Sequence, residues 1–131
     1  MVNENVNILI VDDEETIRNM FVDILQDRNY KVDTAINGQE AVEKIIEKAY
    51  DIAFLDVHMP IINGLETLKI IKKIAPRIKV IIMDSFPDSL TQEAEKEGAL
   101  ASIHKPFEIK TMLEIIDKAL GINKEDIREN V

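Results

Sequence analysis

Short runs of apolar, β-branched residues alternate along the chain with longer segments in which apolar positions recur every three or four residues. The runs are NILIV (7–11), YKVDTA (30–35), DIAFLD (51–56), KVIIM (79–83) and ASIHK (101–105), each of strand length. Between the first two, Ile17, Met20, Phe21, Ile24 and Leu25 stand at i, i+3, i+4, i+7 and i+8, one stripe of an amphipathic helix. Ala41, Val42, Ile45, Ile46 and Ala49 repeat the pattern after Asn37-Gly38, as do Leu65, Leu68, Ile71 and Ile74 after Asn63-Gly64; both Asn-Gly pairs read as turn signals. The last stripe is Ile109, Met112, Leu113, Ile116 and Leu120, with Gly121 placed for a C-terminal cap. From Ser89 to Glu97 only Leu90 and Ala94 offer an apolar face, so that helix is expected to be the most loosely held.

Five strands alternating with five helices predict an α/β domain. Right-handed crossovers place helices on both faces of a parallel sheet, and function collects at the carboxyl ends of its strands. The 131 residues, 46% of them apolar, suffice for one such domain and its core. It is expected over residues 1–121, with a polar tail over 122–131.

Composition narrows the chemistry. With no cysteine there are neither disulfides nor thiolate metal sites, and two histidines, His58 and His104, are too few for a zinc cluster. A metal here is expected to be hard and bound by oxygen. The net charge of -9 works against nucleic acid or an anionic membrane as a partner. No apolar run approaches the ~18 residues of a membrane span. The start MVNENVN lacks the basic and apolar regions of a signal peptide, and the expected location is the cytoplasm.

The predicted strand ends carry a pattern of their own. The first ends in Asp12-Asp13, the third in Asp56, the fourth in Asp84, and the fifth in Lys105-Pro106. One aspartate after a strand is ordinarily a cap or turn residue. A set of them at one rim is different, because clustered carboxylates raise one another's pKa unless a cation sits among them. Oxygen-only ligands at an open site point to Mg2+ or Mn2+.

The motifs VDDEE, FLDVHMP, NGLE, VIIM and HKPF resemble the receiver domain of two-component response regulators, over essentially the whole span from Asn7 to Leu120. Through VIIM, EGAL and KPFEI the chain is most similar to stand-alone sporulation phosphorelay regulators. The resemblance implies a flavodoxin-like, doubly wound (βα)5 sheet of strand order 2-1-3-4-5. It implies that Asp56 is the phosphoacceptor, and that Asp13, Asp56 and the His58 carbonyl ligate the metal, with Asp12 holding it through water. Lys105 would pair with the phosphoryl group, and its bond to Pro106 would be cis. The donor would be a sensor histidine kinase or a histidine phosphotransfer protein, docking on Ile17, Met20, Pro106 and Phe107. On this reading the chain is a monomeric regulator that catalyses its own phosphotransfer and dephosphorylation, not an enzyme in the usual sense. The His58 side chain reads as an exposed loop residue overlooking the site, and His104 as plain structure.

One residue departs from the family. Where receivers carry a threonine or serine whose hydroxyl bonds the phosphoryl group, this chain has Asp84, and the adjacent Ser85 is expected to face the other way. A carboxylate ~5 Å from a phosphoryl group would cost roughly 5 kcal/mol at an effective dielectric near 20. Asp84 is therefore expected to swing out to solvent, to engage Lys105 or the metal, to abolish phosphorylation, or simply to cap the helix beginning near Pro87. Ser102 stands where signalling receivers usually carry an aromatic, so both halves of that coupling are missing. A phosphotransfer intermediate is the first reading, and a non-phosphorylated interaction module is the alternative. A small metal-dependent phosphatase would need a larger substrate cap than this length provides.

Overall fold

The structure, a computed structural model, describes residues 5–86 and 88–122. Among them the chain runs β1 (Asn7–Val11), α1 (Glu15–Gln26), β2 (Lys31–Ala35), α2 (Gly38–Glu47), β3 (Ile52–Asp56), α3 (Gly64–Ile74), β4 (Lys79–Asp84), α4 (Ser89–Lys96), β5 (Ala101–His104) and α5 (Ile109–Ala119). The strands pair in parallel in the order β2-β1-β3-β4-β5, as the resemblance implied. Each lies within one residue of its apolar run at either end. The polar tail expected over 122–131 falls, apart from Ile122, outside the described residues. No described helix is long and apolar enough to cross a membrane.

Alternation along the strands divides the core in two. Leu9, Val11, Ala53, Leu55, Val80 and Ile82 pack against Ala41 and Ile45 of α2, Leu65, Leu68 and Ile71 of α3, and Ala94 of α4. Ile8, Ile10, Ile52, Phe54, Ile81 and Met83 point to the opposite face, against Phe21 and Leu25 of α1 and Met112 and Ile116 of α5. The inner strands β1, β3 and β4 are apolar on both sides because helices cover both, which is why they read as unbroken hydrophobic runs. At the outer edge, the Lys44 ammonium donates to the Thr34 carbonyl of β2. Beside it the Asp33 carboxylate holds Lys48 at 2.8 Å and the Tyr50 hydroxyl at 2.7 Å.

The two Asn-Gly pairs are helix starts, not turns. Asn37 Oδ1 accepts the Glu40 N–H at 2.8 Å and Asn63 Oδ1 the Glu66 N–H at 3.0 Å, so each asparagine caps a helix whose first residue is the glycine. At the other end of the chain, Gly121 has φ +75 and closes α5 as expected. Its N–H donates to the Lys118 carbonyl at 3.2 Å, and that of Ile122 to Asp117 at 2.8 Å, the two bonds of a left-handed helix cap. Helix α4 buries Thr91 and Ala94, and is tied to β5 where Ser102 Oγ donates to Glu95 Oε1 at 2.7 Å.

Gly64 fixes how closely α3 approaches β3. A Cβ there would lie 2.4 Å from the Asp56 carbonyl oxygen and 2.5 Å from Val57 Cα, both backbone atoms with no room to yield. Gly64→Ala is expected to lower stability by about 1–3 kcal/mol, the usual cost of overpacking, as read by urea denaturation. An unchanged midpoint would show that the β3–α3 junction is looser than this contact requires.

Candidate functional site

Asp12 directly follows β1 and Asp56 is the last residue of β3. They continue the parity of Ile10 and Phe54, so both extend from the α1/α5 side of the sheet, and both are buried. Asp13 is exposed. One oxygen from each of Asp12, Asp13 and Asp56 lies within 4.8 Å of the others. Lys105, one residue past β5, reaches into this group, its Nζ 2.7 Å from Asp12 Oδ2 and 3.3 Å from Asp56 Oδ2. Glu14 Oε1 lies 3.5 Å from the same ammonium. The Lys105-Pro106 peptide is cis.

Backbone donors hold the carboxylates in place. Asp12 Oδ1 accepts the Glu14 N–H at 2.9 Å, and Asp56 Oδ1 accepts the His58 N–H at 3.1 Å. Burial, and after it the charge of Asp12, push the Asp56 carboxyl up to about 6 against the pull of Lys105. Burial likewise raises Asp12, with Lys105 opposing. For Lys105, burial favours the neutral amine, but the bonds and charges of Asp12 and Asp56 outweigh it and hold the ammonium above its ordinary value. All ligand atoms in the cluster are oxygen and one of its carboxylates is exposed, which fits a hard divalent cation completed by water.

The cluster opens into a cleft of about 440 Å³ lined by Asp13, Glu14, Asp56, His58, Ser85, Phe86, Asp88 and Lys105. The His58 side chain is the exposed loop residue expected, and it also has a partner. Its Nε2 lies 3.1 Å from Asp88 Oδ2, across the mouth of the cleft. Asp88 Oδ1 meanwhile accepts the N–H groups of Leu90 and Thr91, at 3.0 and 3.2 Å. The residue that caps α4 is thus Asp88, not Asp84, and the helix starts at Ser89. Its signal was in the sequence, as an aspartate immediately before the first residues of helical period.

Asp84 does not join the other carboxylates. Met83 is the residue in register with Asp56, so Asp84 takes the parity of Val80 and Ile82 and faces the α2–α4 side. It is fully buried, which rules out a swing to solvent. Its Oδ1 lies 2.5 Å from His104 Nδ1, so its partner is this imidazole and not the Lys105 ammonium. Ser85, expected to face away, lines the cleft instead. His104, expected to be plain structure, is the hydrogen-bonding partner of this buried carboxylate among the described residues.

Of the expected docking residues, Ile17 and Met20 are partly buried against the α1/α5-side core, and Pro106 is exposed. Phe107 is also partly buried, its ring 5.5 Å from that of Phe21. One apolar residue lining the cleft was not anticipated: Phe86, which is 76% exposed.

The raised Asp56 carboxyl has a sign for stability. Below its ordinary value of 3.8 the group is protonated whether the chain is folded or not. As pH rises from there through about 6, the folded state keeps a proton that the unfolded state has lost, and stability falls. Without divalent cations, Asp56→Asn is therefore expected to be more stable than wild type by about 1–3 kcal/mol at pH 7.5. The gain should shrink as pH drops below 6, and urea titrations at the two pH values measure it. A gain independent of pH would rule out this origin.

The family model of the response regulator receiver domain matches residues 8–117. The chemotaxis protein CheY of Thermotoga maritima is 40% identical over 113 residues, 85% of this chain and 94% of that protein. The sporulation initiation phosphotransferase F of Bacillus subtilis is 35% identical over 123 residues, covering 93% and 98%. With the transcriptional regulatory protein ZraR of Salmonella typhimurium, 34% identical over 126 residues, the match takes in 95% of this chain but 29% of that longer protein. Among solved structures, the response regulator protein TrrA of Thermotoga maritima in complex with Mg2+–BeF superposes with a TM-score of 0.80 at 33% identity, over 87% of this chain and 98% of that one. A family match that runs from β1 into α5, with relatives aligned almost end to end, carries one conclusion: the chain belongs to the response regulator receiver domain family of two-component systems.

Proposed function

We propose that this receiver is a phosphorelay intermediate that takes a phosphoryl group from a phosphohistidine of a sensor histidine kinase or histidine phosphotransfer protein onto Asp56, and passes it on. The observation that carries the reading is the Lys105 ammonium, held 2.7 Å from Asp12 and 3.3 Å from Asp56 beside a three-carboxylate cluster open to a cleft. An Asp56 oxygen attacks phosphorus, the N–P bond breaks, and its electron pair returns to the donor imidazole. Asp56 is oriented for this by the His58 N–H, and Lys105 pairs with phosphoryl oxygens as charge accumulates on them. Mg2+ or Mn2+, held by Asp13, Asp56 and the His58 carbonyl and through water by Asp12, would supply further charge neutralisation. The likeness to a receiver solved with Mg2+–BeF supports that assignment. Ile17, Met20, Pro106 and Phe107 supply the docking patch.

Phosphorylation is favoured over the non-phosphorylated alternative by the placement of Asp84. The placement of Asp84 on the other side of the sheet, with its carboxylate on the His104 imidazole, supports a phosphoryl site free of the repulsion expected from a carboxylate over it.

Intact-mass spectrometry after incubation with acetyl phosphate and Mg2+ tests this. Wild type should gain one phosphoryl group, Asp56→Ala none, and chelation of the metal should abolish the gain. Lys105→Ala should slow phosphorylation by roughly 100-fold, the scale of one lost charge-stabilising donor. A wild-type chain that stays unmodified, or an Asp56→Ala variant modified to the same extent, would refute the assignment.

A further inference from the structure

Asp84 is a buried carboxylate that the phosphoryl chemistry leaves unused. Its side chain is fully buried, with Oδ1 2.5 Å from His104 Nδ1 and Oδ2 without a hydrogen-bond partner among the described residues. The two residues are direct cross-strand neighbours on β4 and β5. The next residue along β5 is Lys105, whose backbone N–H donates to the Asp84 carbonyl at 2.6 Å. Asp84 therefore grips the end of β5 at two points, by its carboxylate on the imidazole and by its carbonyl on the lysine amide. A bond between a carboxylate and an N–H donor is among the stronger hydrogen bonds, and here it is made in a buried place.

The location makes this grip matter. Strand β5 is four residues long and lies at the edge of the sheet, where β4 is its one strand neighbour. A short edge strand frays first at its ends. Its carboxyl end is the point from which Lys105 must reach across to Asp12 and Asp56. Of the other β5 side chains, Ser102 is engaged with α4 and Ile103 anchors the strand in the α1/α5-side core, which leaves the last residue, His104, to be held by Asp84.

We infer that Asp84 and His104 form a positioning pair for Lys105. Their contact locks the carboxyl end of the edge strand so that the ammonium stays between Asp12 and Asp56, and neither residue touches the phosphoacceptor. This deepens, and rests on, the phosphoacceptor reading.

Two readouts on the full chain test it, using wild type, Asp84→Asn, Asp84→Ala and His104→Ala. The first is the side-chain ammonium resonance of Lys105 by NMR, slowed in solvent exchange by its ion pairs. The second is affinity for beryllofluoride in the presence of Mg2+, with Mg2+ affinity alone as control, because the proposed metal ligands lie at β1 and β3. Asparagine keeps an acceptor for the Nδ1–H, so Asp84→Asn should retain the ammonium signal and most of the beryllofluoride affinity. Both alanine variants should lose the signal and bind beryllofluoride at least ~10-fold more weakly, the scale of a displaced charged group, with Mg2+ affinity changed less than ~2-fold. His104→Phe, which fills the space without a donor, must show the same losses if the alanine variant fails to fold. The inference is overturned if the alanine variants keep the ammonium signal. It is overturned equally if both Asp84 variants bind beryllofluoride more tightly than wild type, because Asp84 would then act by its charge. A chain that shows the expected ammonium pattern but no Asp56-dependent response to beryllofluoride loses the phosphoacceptor reading and keeps the positioning pair.

Discussion

A single ammonium holds the functional rim together. Three carboxylates from two strand ends stand within 4.8 Å of one another, and two unit charges ~4 Å apart repel by about 4 kcal/mol at an effective dielectric near 20. Lys105 sits between the two buried members and offsets much of that cost. Burial, and after it the charge of Asp12, still push the Asp56 carboxyl up to about 6. A rim that keeps residual strain of this kind is poised for a cation, because anything bearing positive charge relaxes it. The fold's part is geometric: parallel strands with right-handed crossovers deliver every carboxyl end to the same side, so residues nearly a hundred positions apart meet without a local motif.

Most of this architecture was legible in the apolar pattern, because burial on both faces leaves continuous runs and helix stripes leave a period of 3.6. The convergence of Asp12, Asp13, Asp56 and Lys105 followed from strand ends alone. The Asn-Gly pairs were misread for a definite reason: asparagine followed by glycine serves a turn and a helix cap equally well. What separates the two is the close approach of α3 to the β3 backbone, which demands glycine at position 64 and is a tertiary fact.

Asp84 marks the limit of such reading. Its position at a strand end placed it correctly along the sheet but not across it. Which face a terminal side chain takes depends on the register of β4 against β3, and a shift of one residue reverses the answer. The observed pairing of Asp56 with Met83 and of Asp84 with His104 turns an expected intruder in the phosphoryl site into a neighbour of it. The contact between His58 and Asp88 was missed for a similar reason, since the two belong to loops whose meeting across the cleft no periodicity encodes.

The β2 margin has its own consequence. Strand β2 is a sheet edge, and an unguarded edge is a template on which a second chain can add a strand. Here one outward carbonyl, that of Thr34, is already taken by Lys44, and Asp33, Lys48 and Tyr50 form a polar knot beside it. An incoming strand would have to evict a cation and break that knot before gaining its first backbone bond. Sideways growth of the sheet into fibrils is thereby discouraged at this border, and copies of the chain can crowd together without their strands merging.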